Sequence, residues 1–116
     1  MAADVRTILR LLFIMVLAMV FLVALLPSPD VPAIVEGQDK VGHFAVFLIL
    51  TLLGLLAWPK HAFAVCASML LYGVAIEVAQ SFTTYRQGDP WDWAADALGV
   101  VLALLLRSFA NRSGSA

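Results

Sequence analysis

Four long apolar stretches follow one another along the chain, separated by short polar or proline-marked breaks. The first covers residues 8–26 and ends at Pro27-Ser28-Pro29, a run that cannot continue a helix. The second covers 41–58 and stops at Pro59, and the third covers 61–80. The fourth covers 90–109, because Asp89-Pro90 reads as an N-cap followed by proline at the first helical position. A helix crossing a bilayer needs about 20 residues. Started at Pro90, the fourth stretch gives about 20 residues, or about 30 Å at 1.5 Å each. Started after Asp96, it is too short to span. The pattern predicts an all-α integral membrane protein, a four-helix transmembrane bundle. Residues 1–110 form one domain and 111–116 a flexible tail.

Composition agrees. The 116 residues are 63% hydrophobic and 13% charged, with mean hydropathy +0.97. A soluble domain carries about 25% charged residues. The balance excludes an isolated basic nucleic-acid-binding domain and a disordered chain. The single cysteine, Cys66, excludes an intramolecular disulfide or a CxxC metal pair.

Charge placement sets the expected orientation. Four crossings put both termini on one side, with Arg6, Arg10, Lys60, Arg107 and Arg112. Only Lys40 and Arg86 fall on the other. The excess of Lys and Arg predicts that both termini are cytoplasmic. Arg6 and Arg10 before an apolar run also suit a signal peptide, but the run is long and no Ala-x-Ala site follows, so the first helix is expected to be retained. Asn111-Arg112-Ser113 matches the glycosylation triplet and is discarded on the same topology. The acids are skewed the other way. Asp4 alone lies inside, while Asp30, Glu36, Asp39, Glu77, Asp89, Asp92 and Asp96 lie in or toward the outer half.

Three polar clusters therefore meet one aqueous boundary. In Asp39-Lys40-Val41-Gly42-His43, capping explains Asp39 and snorkelling explains Lys40. Neither explains His43, one turn into an apolar helix. Glu77, Gln80 and Ser81 share a face near the outer end of the third helix, and an ionisable group at such depth needs a partner. The third cluster is Arg86-Gln87-Gly88-Asp89-Pro90-Trp91-Asp92-Trp93-Ala94-Ala95-Asp96. Capping and the helix dipole suit Asp89 and Asp92 but not Asp96, a turn deeper. Arg86 is suited to clamp a phosphate or carboxylate, or to pair with Asp89 or Asp92. Trp91 and Trp93 suit an interfacial aromatic belt. Ala95, Gly99 and Ala103, at spacing four, mark a close helix–helix approach, and Gly73 with Ala75 and Ala79 marks another. No spacing matches a zinc or nucleophile signature. His43, Glu77 and one aspartate are the residues that could hold a metal, but no metal and no cofactor is expected.

These residues resemble the pattern of VanZ-like membrane proteins: Asp39-Lys40-x-x-His43-Phe44, Glu77-x-x-Gln80-x-Phe82, Arg86-x-Gly88-Asp89-x-x-Asp92, and Gly99. The resemblance covers roughly residues 39–106, with several motifs in order. It departs at Ala95-Asp96, where the family pattern has Ala-Asn. It implies a small bacterial inner-membrane protein with about four helices. The name-giving member is linked to low-level resistance to teicoplanin, and others sit in cell-envelope or exopolysaccharide settings.

On this reading the outer polar pocket binds or modifies an anionic envelope lipid or lipid-linked precursor, with no nucleic-acid partner. In an enzyme, His43 would be the catalytic base or acid and Glu77 or Asp92 its partner, with Arg86 as electrostatic clamp and Lys40, Gln80, Asp89 and Asp96 also binding ligand. The alternative is structural: a polar network that holds the bundle or docks it into an envelope assembly, as a homo-oligomer or part of a larger complex.

Overall fold

The computed structural model describes residues 4–26, 38–83 and 90–114. Within them the chain is helical, with no strand: α1 (Val5–Leu25), α2 (Gln38–Ala57), α3 (Ala62–Ser81) and α4 (Pro90–Gly114). All four are long and apolar enough to cross a membrane, so the chain reads as a multi-pass membrane protein.

The limits differ from the hydropathy boundaries for local reasons. α1 starts at Val5 because the Asp4 carboxylate caps it, accepting from the Thr7 N–H at 2.7 Å. Hydropathy alone, which rises only at Ile8, does not register a cap. α2 starts at Gln38 and takes the polar residues Lys40 and His43 into its first turns. α4 starts at Pro90 but runs on to Gly114. The helix runs past the expected end at residue 109, through Asn111 and Arg112, because extending a helix already formed fixes one residue per added hydrogen bond.

α2 is the central helix. It packs most extensively on α4 and next on α1, while α1 and α4 do not touch among the described residues. Gly99 explains the α2–α4 closeness. A Cβ there would stand 2.6 Å from the Phe44 carbonyl oxygen and 2.9 Å from the Leu48 nitrogen. Ala95 and Ala103 are buried on the same stripe, as the spacing of four predicts. Phe47, Leu50, Met69, Ile76 and Val100 form the main core. Leu55, Val65 and Ala103 form a second cluster toward the α2–α3 turn. α1 is the outlying helix, with Ile8, Leu11, Met15, Met19 and Leu22 all exposed toward what would be lipid.

Polar side chains tie the helices through backbone carbonyls. Tyr72 on α3 donates its hydroxyl to the Leu17 carbonyl of α1 at 2.6 Å. Gln80 donates to the Ala24 carbonyl at 2.9 Å. Trp93 on α4 donates its indole N–H to the Leu70 carbonyl at 3.0 Å, halfway along α3. The interfacial-belt reading of Trp93 is therefore corrected: its ring lies in the bundle, because in hydrocarbon the N–H needs an acceptor. Trp91 remains exposed. At the opposite end, Arg10 donates to the Ala57 carbonyl at 3.0 Å and stacks on Trp58, while Arg107 donates to the Pro59 carbonyl. These two cations satisfy acceptors where α2 ends.

Candidate functional site

The start of α2, the end of α3 and the start of α4 lie at one end of the bundle, and the polar residues of all three meet there. His43 is the hub. Its Nδ1 is 2.9 Å from Asp96 Oδ1. Its Nε2 is 3.7 Å from Asp92 Oδ2. With Asp96 ionised, Nδ1 carries the ring proton and donates to the carboxylate, which fixes the ring and leaves Nε2 as the basic nitrogen. Lys40 Nζ lies 3.3 Å from Asp92 Oδ1, so Asp92 joins the lysine and the histidine. One ligating atom from each of His43, Glu77 and Asp96 lies within 4.8 Å of the others.

The cluster grades from wet to dry. The Lys40 side chain is 37% exposed, His43 22%, Asp92 11% and Asp96 0%. Asp96 fits because α3 has no side chain at Gly73. A Cβ at Gly73 would stand 3.1 Å from Asp96 Oδ2 and 3.1 Å from Trp93 Cδ1. The carboxylates are close enough to disfavour one another. Two unit charges about 4 Å apart repel by roughly 4 kcal/mol at an effective dielectric near 20. Such an array is stable only with protons or cations among its members.

Beside the cluster, α1, α2 and α3 line an apolar cavity of about 330 Å³ that is open along one side. Met19, Val23, Gly42, Val46 and Ile76 line it together with His43. Nothing lies within 4 Å of where a Gly42 Cβ would be. His43 therefore belongs both to the polar cluster and to the cavity wall.

The sequence residues sort as follows. Lys40, His43, Glu77, Asp92 and Asp96 are brought together. Gln80 is not one of that set: its amide is the tie to α1. Ser81 bonds within its own helix, to the Val78 carbonyl. Arg86, Asp89 and the Asp39 side chain lie outside the described residues.

The family model for VanZ/LLP1 matches residues 9–111, nearly the whole chain. The chain belongs to the VanZ/LLP1 family. Among curated relatives, it is 37% identical over 100 residues to the fission-yeast protein "Uncharacterized protein C11E3.10" of Schizosaccharomyces pombe. That match takes in 82% of this chain but 59% of the relative, so the chain spans well under two thirds of the relative's length. No solved structure matches it.

The departure from the VanZ-like pattern at Asp96 falls on the most buried member of the cluster. An asparagine carbonyl would accept the same proton from His43 Nδ1. The aspartate adds a charge and a second acceptor. Sequence reasoning missed two parts of this candidate site: the Lys40–Asp92 pair, which crosses from α2 to α4, and the cavity, whose sequence trace is a glycine one residue before the histidine.

Proposed function

We propose that the cluster and the cavity together hold an anionic lipid or lipid-linked molecule, with an acyl or prenyl chain in the cavity and the headgroup at Lys40 and His43. The observation that carries this reading is that His43 is shared between a polar cluster and an apolar slot between membrane helices. A lipid is the ligand with both characters. Lys40, part-exposed and paired with Asp92 one turn before His43, is one candidate clamp for a phosphate, and Arg86, five residues after Ser81, is the second.

The same geometry suits chemistry on that headgroup. His43, oriented by Asp96, would act as general acid or base through Nε2, with Asp92 and Glu77 completing the catalytic set. The Lys and Arg asymmetry supports placing this end at the outer leaflet of a bacterial inner membrane, with both termini in the cytoplasm. In a cell exposed to teicoplanin-type drugs, a protein holding lipid-linked precursor or the drug's lipid tail there would lower susceptibility.

The structural reading explains a different set of residues. Tyr72, Gln80, Trp93, Arg10 and Arg107 each bond a backbone carbonyl on another segment, as fold-holding groups do. His43, Lys40, Asp92 and Asp96 face one another instead, side chain to side chain.

The test uses full-length protein in nanodiscs with spin-labelled lipids. Wild type should immobilise phosphatidylglycerol in preference to phosphatidylcholine. Gly42→Leu fills open space and favours the helix, so it should keep the fold and lose that preference. Equal immobilisation of both lipids by wild type would sink the reading.

A further inference from the structure

Asp96 is completely buried, and one of its oxygens has no hydrogen-bond partner. Oδ1 faces His43 Nδ1 at 2.9 Å. Oδ2 is buried without a hydrogen-bond partner. A buried carboxylate oxygen without a donor carries its full desolvation cost. The structure nevertheless makes room for it by placing Gly73 opposite. An alanine or a serine at this position would avoid that cost. The oxygen therefore points to an occupant that an apolar neighbour does not supply.

The neighbours define what the occupant is. His43 on α2, Glu77 on α3 and Asp96 on α4 each offer one ligating atom, all within 4.8 Å of one another. One imidazole nitrogen and two carboxylate oxygens are the donor set of a borderline-hard divalent ion. Donors at about 2.1 Å from a tetrahedral ion lie roughly 3.4 Å apart, so modest side-chain rotation closes the set. The donors come from three helices, so each is held by the packing of a separate element.

We propose that His43, Glu77 and Asp96 form a binding site for one divalent cation of the Zn²⁺ or Mn²⁺ kind. Such an ion gives Asp96 the partner its second oxygen lacks and draws together two carboxylates that otherwise repel. Three protein donors leave coordination positions for water or for an oxygen of a phosphate. The site goes beyond the lipid reading and stands without it: cation binding requires only these three side chains.

The experiment is calorimetric titration of ZnCl₂, then MnCl₂, into chelator-stripped full-length protein in phosphatidylcholine nanodiscs. Wild type should bind about one equivalent per chain with a saturable isotherm for at least one of the two ions. Asp96→Asn and Glu77→Gln should each weaken that binding by at least about 10-fold, in line with the sensitivity of metal sites to single groups. His61→Ala, at the other end of α3, should match wild type. Asp96→Asn preserves shape and an acceptor for His43; if its circular dichroism nevertheless shows lost helix, Glu77→Gln carries the decision. The proposal is overturned if neither ion gives saturable binding to wild type, or if the folded variants bind as wild type does. It is equally overturned if infrared spectra of metal-loaded wild type show a protonated-acid band that Asp96→Asn removes, because a proton would then occupy the place assigned to the ion.

Discussion

His43 and Trp93 are both polar residues a short way into apolar helices, yet they are put to different uses. Trp93 meets a carbonyl and His43 meets carboxylates, which separates fold-holding residues from site residues and makes the separation measurable. Interhelical hydrogen bonds in a membrane protein are worth about 0.6 kcal/mol on average. Trp93→Phe and Tyr72→Phe should each lower unfolding free energy in a detergent titration by about that amount and leave lipid preference intact. Lys40→Met, and His43→Gln, which keeps an amide donor for Asp96, should abolish lipid preference with little change in the unfolding midpoint. If the two pairs behave alike, the division is wrong. At the N-terminus, the Thr7 amide holds the Asp4 carboxylate below its ordinary pKa. A carboxylate held down in this way stabilises the fold above its unfolded value and loses that contribution as pH falls through the folded one. The first turn of α1 should therefore fray in acid, seen as faster amide exchange at Thr7 and Ile8, and Asp4→Asn should remove that pH dependence. Single residues were partly legible in the sequence. His43, Glu77 and Asp96 stood out because a polar group in an apolar run needs a reason. Their convergence followed from the boundary they share, but which side chain pairs with which did not, because contacts between α2, α3 and α4 leave no spacing in the chain.

Helices were the most legible level, since four apolar runs bounded by prolines leave little choice of element. What hydropathy could not read were the polar turns at the ends, where Asp4 caps α1 and Gln38 and Arg112 are already or still helical. The small-residue stripe on α4 did announce a close approach, and the structure supplies the partner, α2. Gly99 sits against α2 backbone, which cannot step aside as a side chain can. Gly99→Ala should cost roughly 1–3 kcal/mol, the range for overpacking, while Ala103→Gly should cost less. The same detergent titration measures both, and a neutral Gly99→Ala would show that α2 and α4 pack further apart than described.

Across the whole molecule, charge is divided between the two ends. Among the described residues, Arg10 and Arg107 close the end where α2 turns into α3, and Glu77, Asp92 and Asp96 with Lys40 and His43 collect at the other. Orientation was inferred from the same charges, and it has its own test. In a Cys66→Ser background, a cysteine introduced by Ser113→Cys should be labelled by impermeant maleimide only after the cells are opened, and one from Thr83→Cys in intact spheroplasts. The central claim is that the His43 end holds an anionic lipid. The most direct measurement is native mass spectrometry of the protein drawn gently from its own membrane, with wild type, Arg86→Ala and Gly42→Leu side by side. The account predicts one class of anionic lipid retained by wild type and depleted in both variants. Equal, unselective lipid on all three would contradict it and leave the polar cluster as a means of holding the helices together.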